Sequence, residues 1–438
     1  MLLLYSSQYS PRLQYIAATL LQELSRIDIA FTYNKEEFRL FEGPKINYSK
    51  DPLDEEELWI YPVPLLFENE IARQEPRCQL HEAYTILFPV QKGDLPFDIF
   101  AASFYLISRY EEYLPFTEDK YGRYSHTESI AFKEGFLNQP LINTWVISLQ
   151  RLLRLKFPMI FFKIKKFNFI PTYDIDIAFS YLNKGFVRNA GGLVRSLLRG
   201  ELSAVKERIE VLAGKKEDPF DVYEWLYALH LKYNLRPYYF FLVAKDRGGY
   251  DKNISPEKEE MQELIRYHAM GYQVGIHPSW QSGDNETLLR EEIGLMEYLI
   301  NKRITCSRQH YIRFSLPQTY RRLLSLGIEK EFSMGYGSIN GFRASIAAPF
   351  YWYDLLKDER TSLRIYPFCF MDANSFFQQR QTPQQAFDEI RHYHDVIKKV
   401  NGTMITIWHN NFFGSDKLYE GWKHVYELFL QEVLYWDF

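Results

Sequence analysis

The stretch "FIPTYDIDIAF", residues 169–179, places Asp174 and Asp176 two apart in an otherwise apolar run. In an extended backbone, residues two apart share a face, so both carboxylates point one way while Ile175 takes the other. Two like charges that close need a compensating cation, either a metal or a basic side chain. The plainer alternative is a turn, where aspartate is common. Further along stand His277 in "GIHPSW", Arg308 and His310 in "SRQHY", Asp372 after "YPFCFM" and His409 in "ITIWHNN". Carboxylate plus neutral imidazole is a mixed N/O set suited to a zinc-like divalent ion with an open position. On an extended segment Arg308 and His310 share a face. The arginine then neutralises the aspartates and the imidazole completes a metal triad, or else Arg308 and Arg313 form ordinary ion pairs and His310 is a satisfied core residue. An imidazole at His409, ending an apolar strand, can hold or deliver a proton near neutral pH.

These groups must be positioned by the elements that precede them. Apolar, β-rich runs occur at 167–170, 237–243, 272–276, 363–370 and 404–408, with "TCSRQHYIRF" a less regular candidate. Between them lie helices with readable caps. "SPEKEEMQELIRYHAMG" opens at Ser255 and Pro256 and closes at Gly271, and a capping-box pattern at Thr382 and Gln385 opens a helix closed by Gly402. Alternating strands and helices imply a parallel sheet, doubly wound or closed into a barrel. Polar groups at the carboxyl ends of successive strands are the layout by which a β/α barrel assembles one site from distant segments. His392 and His394, two apart on the last of these helices, face different directions and read as surface residues.

At 438 residues, two domains are expected, with a boundary near 155–170. Residues 1–160 show mixed α/β or α+β patterning without a chemical constellation. Their Arg109, Glu111 and Glu112 read as a solvated or interdomain charge cluster. Residues 181–216, basic and glycine-bearing, read as a helical insertion or lid over the 166–438 domain. A net charge of −4 gives no basic footprint for nucleic acid or anionic membrane. Three cysteines without metal-type spacing suit a reducing compartment. The first residues lack a basic n-region and no stretch approaches a membrane span, so a cytoplasmic location is expected.

"PTYDIDIAF", "GIHPSW", "SRQHY" and "ITIWHN", in that order, resemble the motifs of the polysaccharide deacetylases, the NodB-homology group of carbohydrate esterase family 4. The resemblance covers residues 166–438, and the upstream part resembles the uncharacterised N-terminal domain of some bacterial members. It implies a distorted (β/α)7 barrel and a divalent metal, zinc first with cobalt, nickel or manganese as alternatives. Asp174 matches the catalytic base, Asp176 and His277 metal ligands, Arg308 the residue orienting the base, Tyr311 the backbone oxyanion donor and His409 the catalytic acid. Two positions depart from the pattern. Gln281 stands where a second histidine is usual, and His310 replaces the third motif's proline, so His310 is expected to supply the missing imidazole. Asp372 is expected to orient His409. The implied reaction removes an N-acetyl group from an amino-sugar glycan or its intracellular precursor. Trp280, Trp408 and Tyr336 offer sugar-stacking faces, with core packing their more ordinary role. The alternatives are a catalytically inactive glycan-binding or scaffolding protein, and an O-acetyl esterase on the same site.

Overall fold

The computed structural model describes residues 1–163, 165–246 and 248–434. Upstream, β1 (Leu2–Ser6), β2 (Ile29–Thr32), β3 (Lys45–Tyr48) and β4 (Leu58–Ile60) form a parallel sheet in the order β2-β1-β3-β4. A hairpin of β5 (Cys78–His81) and β6 (Tyr84–Leu87) follows. The larger sheet is built from β7 (Asn168–Ile175), β8 (Tyr238–Leu242), β9 (Gln273–His277), β10 (Cys306–Ser307), β11 (Lys330–Glu331), β12 (Phe350–Asp354), β13 (Glu359–Ile365), β14 (Phe370–Met371) and β15 (Thr403–His409). Its order is β12-β13-β11-β10-β9-β8-β7-β15-β14, parallel throughout except for β12 against β13.

This order has a geometric consequence. β13 and β14 stand seven inter-strand steps apart along the ladder, yet only residues 366–369 join them. A flat sheet would separate them by about 34 Å at the usual strand spacing, whereas the connection from Ile365 to Phe370 reaches about 18 Å fully extended. The sheet therefore curls until its two ends approach. No ladder joins those ends among the described residues, so closure into a barrel is not shown.

Helices Glu259–Gly271, Glu286–Ile300 and Pro383–Lys399 cover the sheet with residues three and four apart, such as Met261 and Ile265 or Ala386 and Ile390. The Thr382–Gln385 capping box forms as the sequence indicates. The upstream part packs on the β12–β13 hairpin. There Arg12 pairs with Asp358 at 2.8 Å, and the Tyr15 hydroxyl donates to the Tyr351 carbonyl at 2.7 Å. One apolar core cluster runs through both parts.

Several local expectations are corrected. The strand read at 167–170 extends to Ile175, so Asp174 lies inside it. Pro171 is tolerated because the ladder to β8 begins only at Thr172. The run at 363–370 divides at Pro367 into β13 and β14. The helix read from Ser255 starts at Glu259, because the Lys258 N–H closes a turn onto the Ser255 carbonyl. His394 is buried, its ring against Phe167, rather than on the surface. Arg109, Glu111 and Glu112 are buried rather than solvated. Arg343 and Arg109 both donate to Glu112, at 2.6 and 2.7 Å, tying the upstream part to the segment at 343. By contrast, the 181–216 segment is helical as expected, forming two helices, Phe186–Leu198 and Leu202–Leu212.

Candidate metal and catalytic site

Ladder register brings the chemical groups together. In β7, Asp174 stands between Phe240 of β8 and His409 of β15. His277 ends β9, and Ser307 pairs with Ile276, which sets Arg308 beside His277. Asp372 directly follows β14, whose Met371 pairs with Ile407. Parallel strands thus deliver all of these side chains at one edge. Arg308 and His310 do not sit on one strand face, because β10 ends at Ser307 and His310 begins a 3-10 turn. They reach the same site by different routes.

The buried Arg308 guanidinium donates from Nη1 to Asp174 Oδ1 at 2.8 Å and to the Thr172 hydroxyl at 2.6 Å. It also lies over the Phe240 ring, 4.6 Å from the centroid. Burial draws its pKa below the usual value while Asp174 opposes that. Asp174 is thereby supplied with a fixed counter-charge. This is how the first of the two carboxylates is compensated.

Asp176 has different surroundings. His277 Nε2 lies 3.1 Å from its Oδ1 and His310 Nε2 3.4 Å from its Oδ2. Ligand atoms of Asp176, His277 and His310 all lie within 4.8 Å of one another. Both imidazoles are oriented from behind. His277 Nδ1 bonds the Arg308 carbonyl at 2.6 Å, and His310 Nδ1 bonds Asp251 Oδ1 at 2.9 Å. Carbonyl and carboxylate partners at Nδ1 are the usual arrangement behind metal-ligating histidines, and they leave Nε2 to converge. Asp176 Oδ1 is shut from solvent and accepts no well-formed hydrogen bond among the described residues, as an atom meant for a cation would be. The donor set therefore fits a divalent ion. Burial alone would raise the Asp176 pKa, but His310 and His277 hold it well below the usual carboxylate value. Burial lowers that of His310, and Asp176 and Asp251 push it up to about 9.

His409 faces this group across the site, its Nε2 3.6 Å from Asp176 Oδ2. Its Nδ1 bonds Asp372 Oδ1 at 2.6 Å, and its backbone N–H donates to Asp372 Oδ2 at 2.7 Å. Burial lowers the His409 pKa, but Asp372, with smaller help from Asp176 and Asp174, raises it to about 10. Tyr311 and Ile312 both have left-handed backbone, φ 58° and 55°. For tyrosine and β-branched isoleucine this conformation costs energy and needs support from its surroundings. Support comes from upstream, where Arg123 Nη1 donates to the Tyr311 carbonyl at 2.5 Å. A side chain at Gly337 would collide with that guanidinium, which is why glycine stands there.

The site opens into a cavity of about 500 Å³, walled partly by Tyr121 and Arg123 of the upstream part. Of the three aromatic faces read from the sequence, Trp408 and Tyr336 are buried in the core. Trp280 is half-buried and stacks on the cavity-lining Tyr250, centroids 4.0 Å apart. Gln281 is exposed. Asp251, Tyr121 and Arg123 were not found from the sequence. One signal was available for Asp251: the loop after β8 was the only one among the central strands without a candidate, and Asp251 lies in it.

A family model described as a family of unknown function, DUF7033, matches residues 2–158. Nothing among the curated proteins matches the chain. Among solved structures it is similar to a protein from Mycobacterium smegmatis assigned as a polysaccharide deacetylase. That similarity has 14% identity and a TM-score of 0.40, and covers 62% of this chain and 85% of the other. A mutant of a CE4 family pseudoenzyme with restored enzymatic activity matches at 8% identity and a TM-score of 0.30, over 61% of this chain and 63% of that one. A polysaccharide deacetylase from Bacillus cereus matches at 10% identity and a TM-score of 0.28, over 61% and 86%. With overlap this low, function is argued from the site itself.

Proposed function

We propose that the chain is a metal-dependent hydrolase that removes an acyl group, in the first instance N-acetyl, from an amino-sugar-containing glycan or glycan precursor. The observation that carries this is the division of the two aspartates. Asp174 is compensated by Arg308, while Asp176 is left with two imidazole Nε2 atoms and an unsatisfied oxygen.

Asp176, His277 and His310 would hold the ion, with His310 taking the place of the second imidazole that the exposed Gln281 does not provide. When bound, a zinc-like ion supplies Lewis-acid polarisation of the acyl oxygen and a lowered pKa for water. Asp174, fixed by Arg308 and Thr172, accepts the proton of the attacking water. The Tyr311 backbone, held in its left-handed conformation by Arg123, offers its N–H to the developing oxyanion. His409, kept protonated by Asp372, donates a proton to the departing amine. Tyr121, Tyr250 and Tyr311 line the cavity, where apolar ring faces suit a pyranose.

The same proposal includes a 1–160 unit distinct from the 166–438 unit, and the curled sheet as a distorted (β/α)7 barrel. It also includes a cytoplasmic location; native protein recovered from a periplasmic fraction would count against that.

The test is acetate release from N-acetylated glucosamine oligomers by protein supplied with zinc or cobalt, beside Asp174→Asn. Release by the parent and at least a hundredfold loss in a folded Asp174→Asn are expected. Equal rates in the two would overturn the assignment of the base. Release from O-acetyl esters but not from amides would overturn the choice of bond.

A further inference from the structure

The helical pair at 186–212 has its polarity reversed for a packed element. Helices on a protein surface normally bury an apolar stripe and expose polar residues. In helix Phe186–Leu198 the buried residues are Asn189 and Ser196. Its apolar side chains face solvent: Phe186 is 87% exposed, Val187 82% and Leu198 84%, with Val194 and Leu197 about half exposed. Val187, Val194 and Leu198 fall at spacings of seven and four, so they form one stripe. The second helix continues the pattern, with Leu202, Ile209 and Leu212 exposed and Val211 buried.

The polar groups hold the pair together and to the body. Asn189 Nδ2 donates to the Tyr181 carbonyl at 2.9 Å, and Arg208 Nη1 donates to Asn189 Oδ1 at 3.1 Å. Gly192 leaves the room that the Arg208 guanidinium occupies. Arg188 Nη1 donates to the Asn253 carbonyl at 3.2 Å, next to Lys252, which lines the site cavity. The base of the pair is thus fixed beside the cavity, and its apolar stripe faces away from the protein.

Charge selects what covers the stripe. Residues 181–216 carry eight Lys or Arg against three Glu, in a chain whose net charge is −4. The exposed Arg195 and Arg199 lie about one turn apart at the end of the first helix, off the apolar stripe. An isologous contact with a second copy would set this positive segment against itself. An anionic lipid surface satisfies both features, because a basic amphipathic helix lies in the interface plane with its apolar face at the acyl boundary. We propose that the 186–212 pair is an interfacial anchor that docks the protein on an anionic membrane surface, next to the cavity opening. This docking is independent of the reaction proposed above.

The test is co-sedimentation of the full chain with vesicles of phosphatidylcholine alone and with added phosphatidylglycerol, at low and high salt. Binding to the anionic vesicles, weakened by salt, is expected. It should fall by at least about tenfold in Val194→Asp/Leu198→Asp. Should that variant lose its helical circular dichroism, Arg195→Glu/Arg199→Glu at exposed positions serves in its place, with the same loss expected. No binding by the parent, or equal binding by a folded variant, would overturn the proposal. So would a parent dimer by light scattering that the variant dissolves without any vesicle binding, which would assign the stripe to a second copy.

Discussion

Replacing Asp372 with Asn removes one charge and little volume from a fully buried carboxylate at the site. Asp372 accepts from His409 at two atoms, the ring at 2.6 Å and the backbone N–H at 2.7 Å, and from the Ala373 N–H at 2.6 Å. Asparagine can keep the backbone acceptor but gives the ring a neutral partner. A hydrogen bond to a charged group contributes about 1.5–3 kcal/mol, so its loss should move the His409 pKa down by about one to two units from its value of about 10. As a proton donor in catalysis, His409 should then fail earlier as pH rises. At pH 8 the ring stays at least half protonated, so the rate of acetate release should drop there by no more than about twofold, whereas above pH 10 it should drop by about 10- to 100-fold, with KM nearly unchanged. The alkaline limb of the pH profile should shift down by one to two units. Stability carries the opposite test of sign. A histidine whose folded pKa is raised contributes stability that is fully present below about 6.5 and lost as pH rises through about 10. The variant should therefore lose more melting temperature at pH 6 than at pH 9.5. NMR titration of the His409 ring reads the shift without any need for turnover. A parental ring pKa and a parental pH profile in Asp372→Asn would refute the role given to this pair.

Asp251→Asn should weaken metal binding by about 10- to 100-fold, because His310 loses the carboxylate that orients its ring; competition with a chromogenic chelator measures it. His230, bonded to the Tyr173 and Tyr272 hydroxyls, has its pKa lowered by burial to about 3. Its folded pKa is below its unfolded value, so its stabilising effect is present above about pH 6.5 and is lost as pH falls. Between pH 6.5 and 5 the loss is about 2 kcal/mol, so the stability gap between the parent and His230→Gln should narrow by that amount in denaturant titrations at pH 7.5 and 5. Glu112→Ala strands the buried guanidiniums of Arg109 and Arg343 and should cost about 3–5 kcal/mol, seen as a lower midpoint of thermal unfolding.

What could be read from the sequence was local. The Asp174–Asp176 pair, the histidines ending β9 and β15, and the Thr382 cap each depend on neighbours within a few residues, where alternation and capping rules operate. Asp251 depends on the path of a loop after β8, and no periodicity describes a loop. Tyr121 and Arg123 lie about 190 residues before Tyr311, so their place in the wall is set by how the upstream part packs on the β12–β13 hairpin. The 181–216 segment was legible as basic and glycine-bearing, but amphipathicity alone does not tell which face turns outward. Here short polar contacts at Asn189 and Arg208 decide it. Net charge over the whole chain concealed the local positive segment. The split at Pro367 was visible in the sequence, yet a continuous apolar run outweighed a single breaker.

The claim that one aspartate and two histidines from three separate chain segments form a metal site is tested most directly by elemental analysis of the purified parent beside His310→Ala and Asp176→Ala. About one equivalent of a zinc-like ion in the parent, and loss of it in both folded variants, is the expected result. Equal metal content in the parent and His310→Ala, or none in the parent after zinc and cobalt have been supplied, would contradict it.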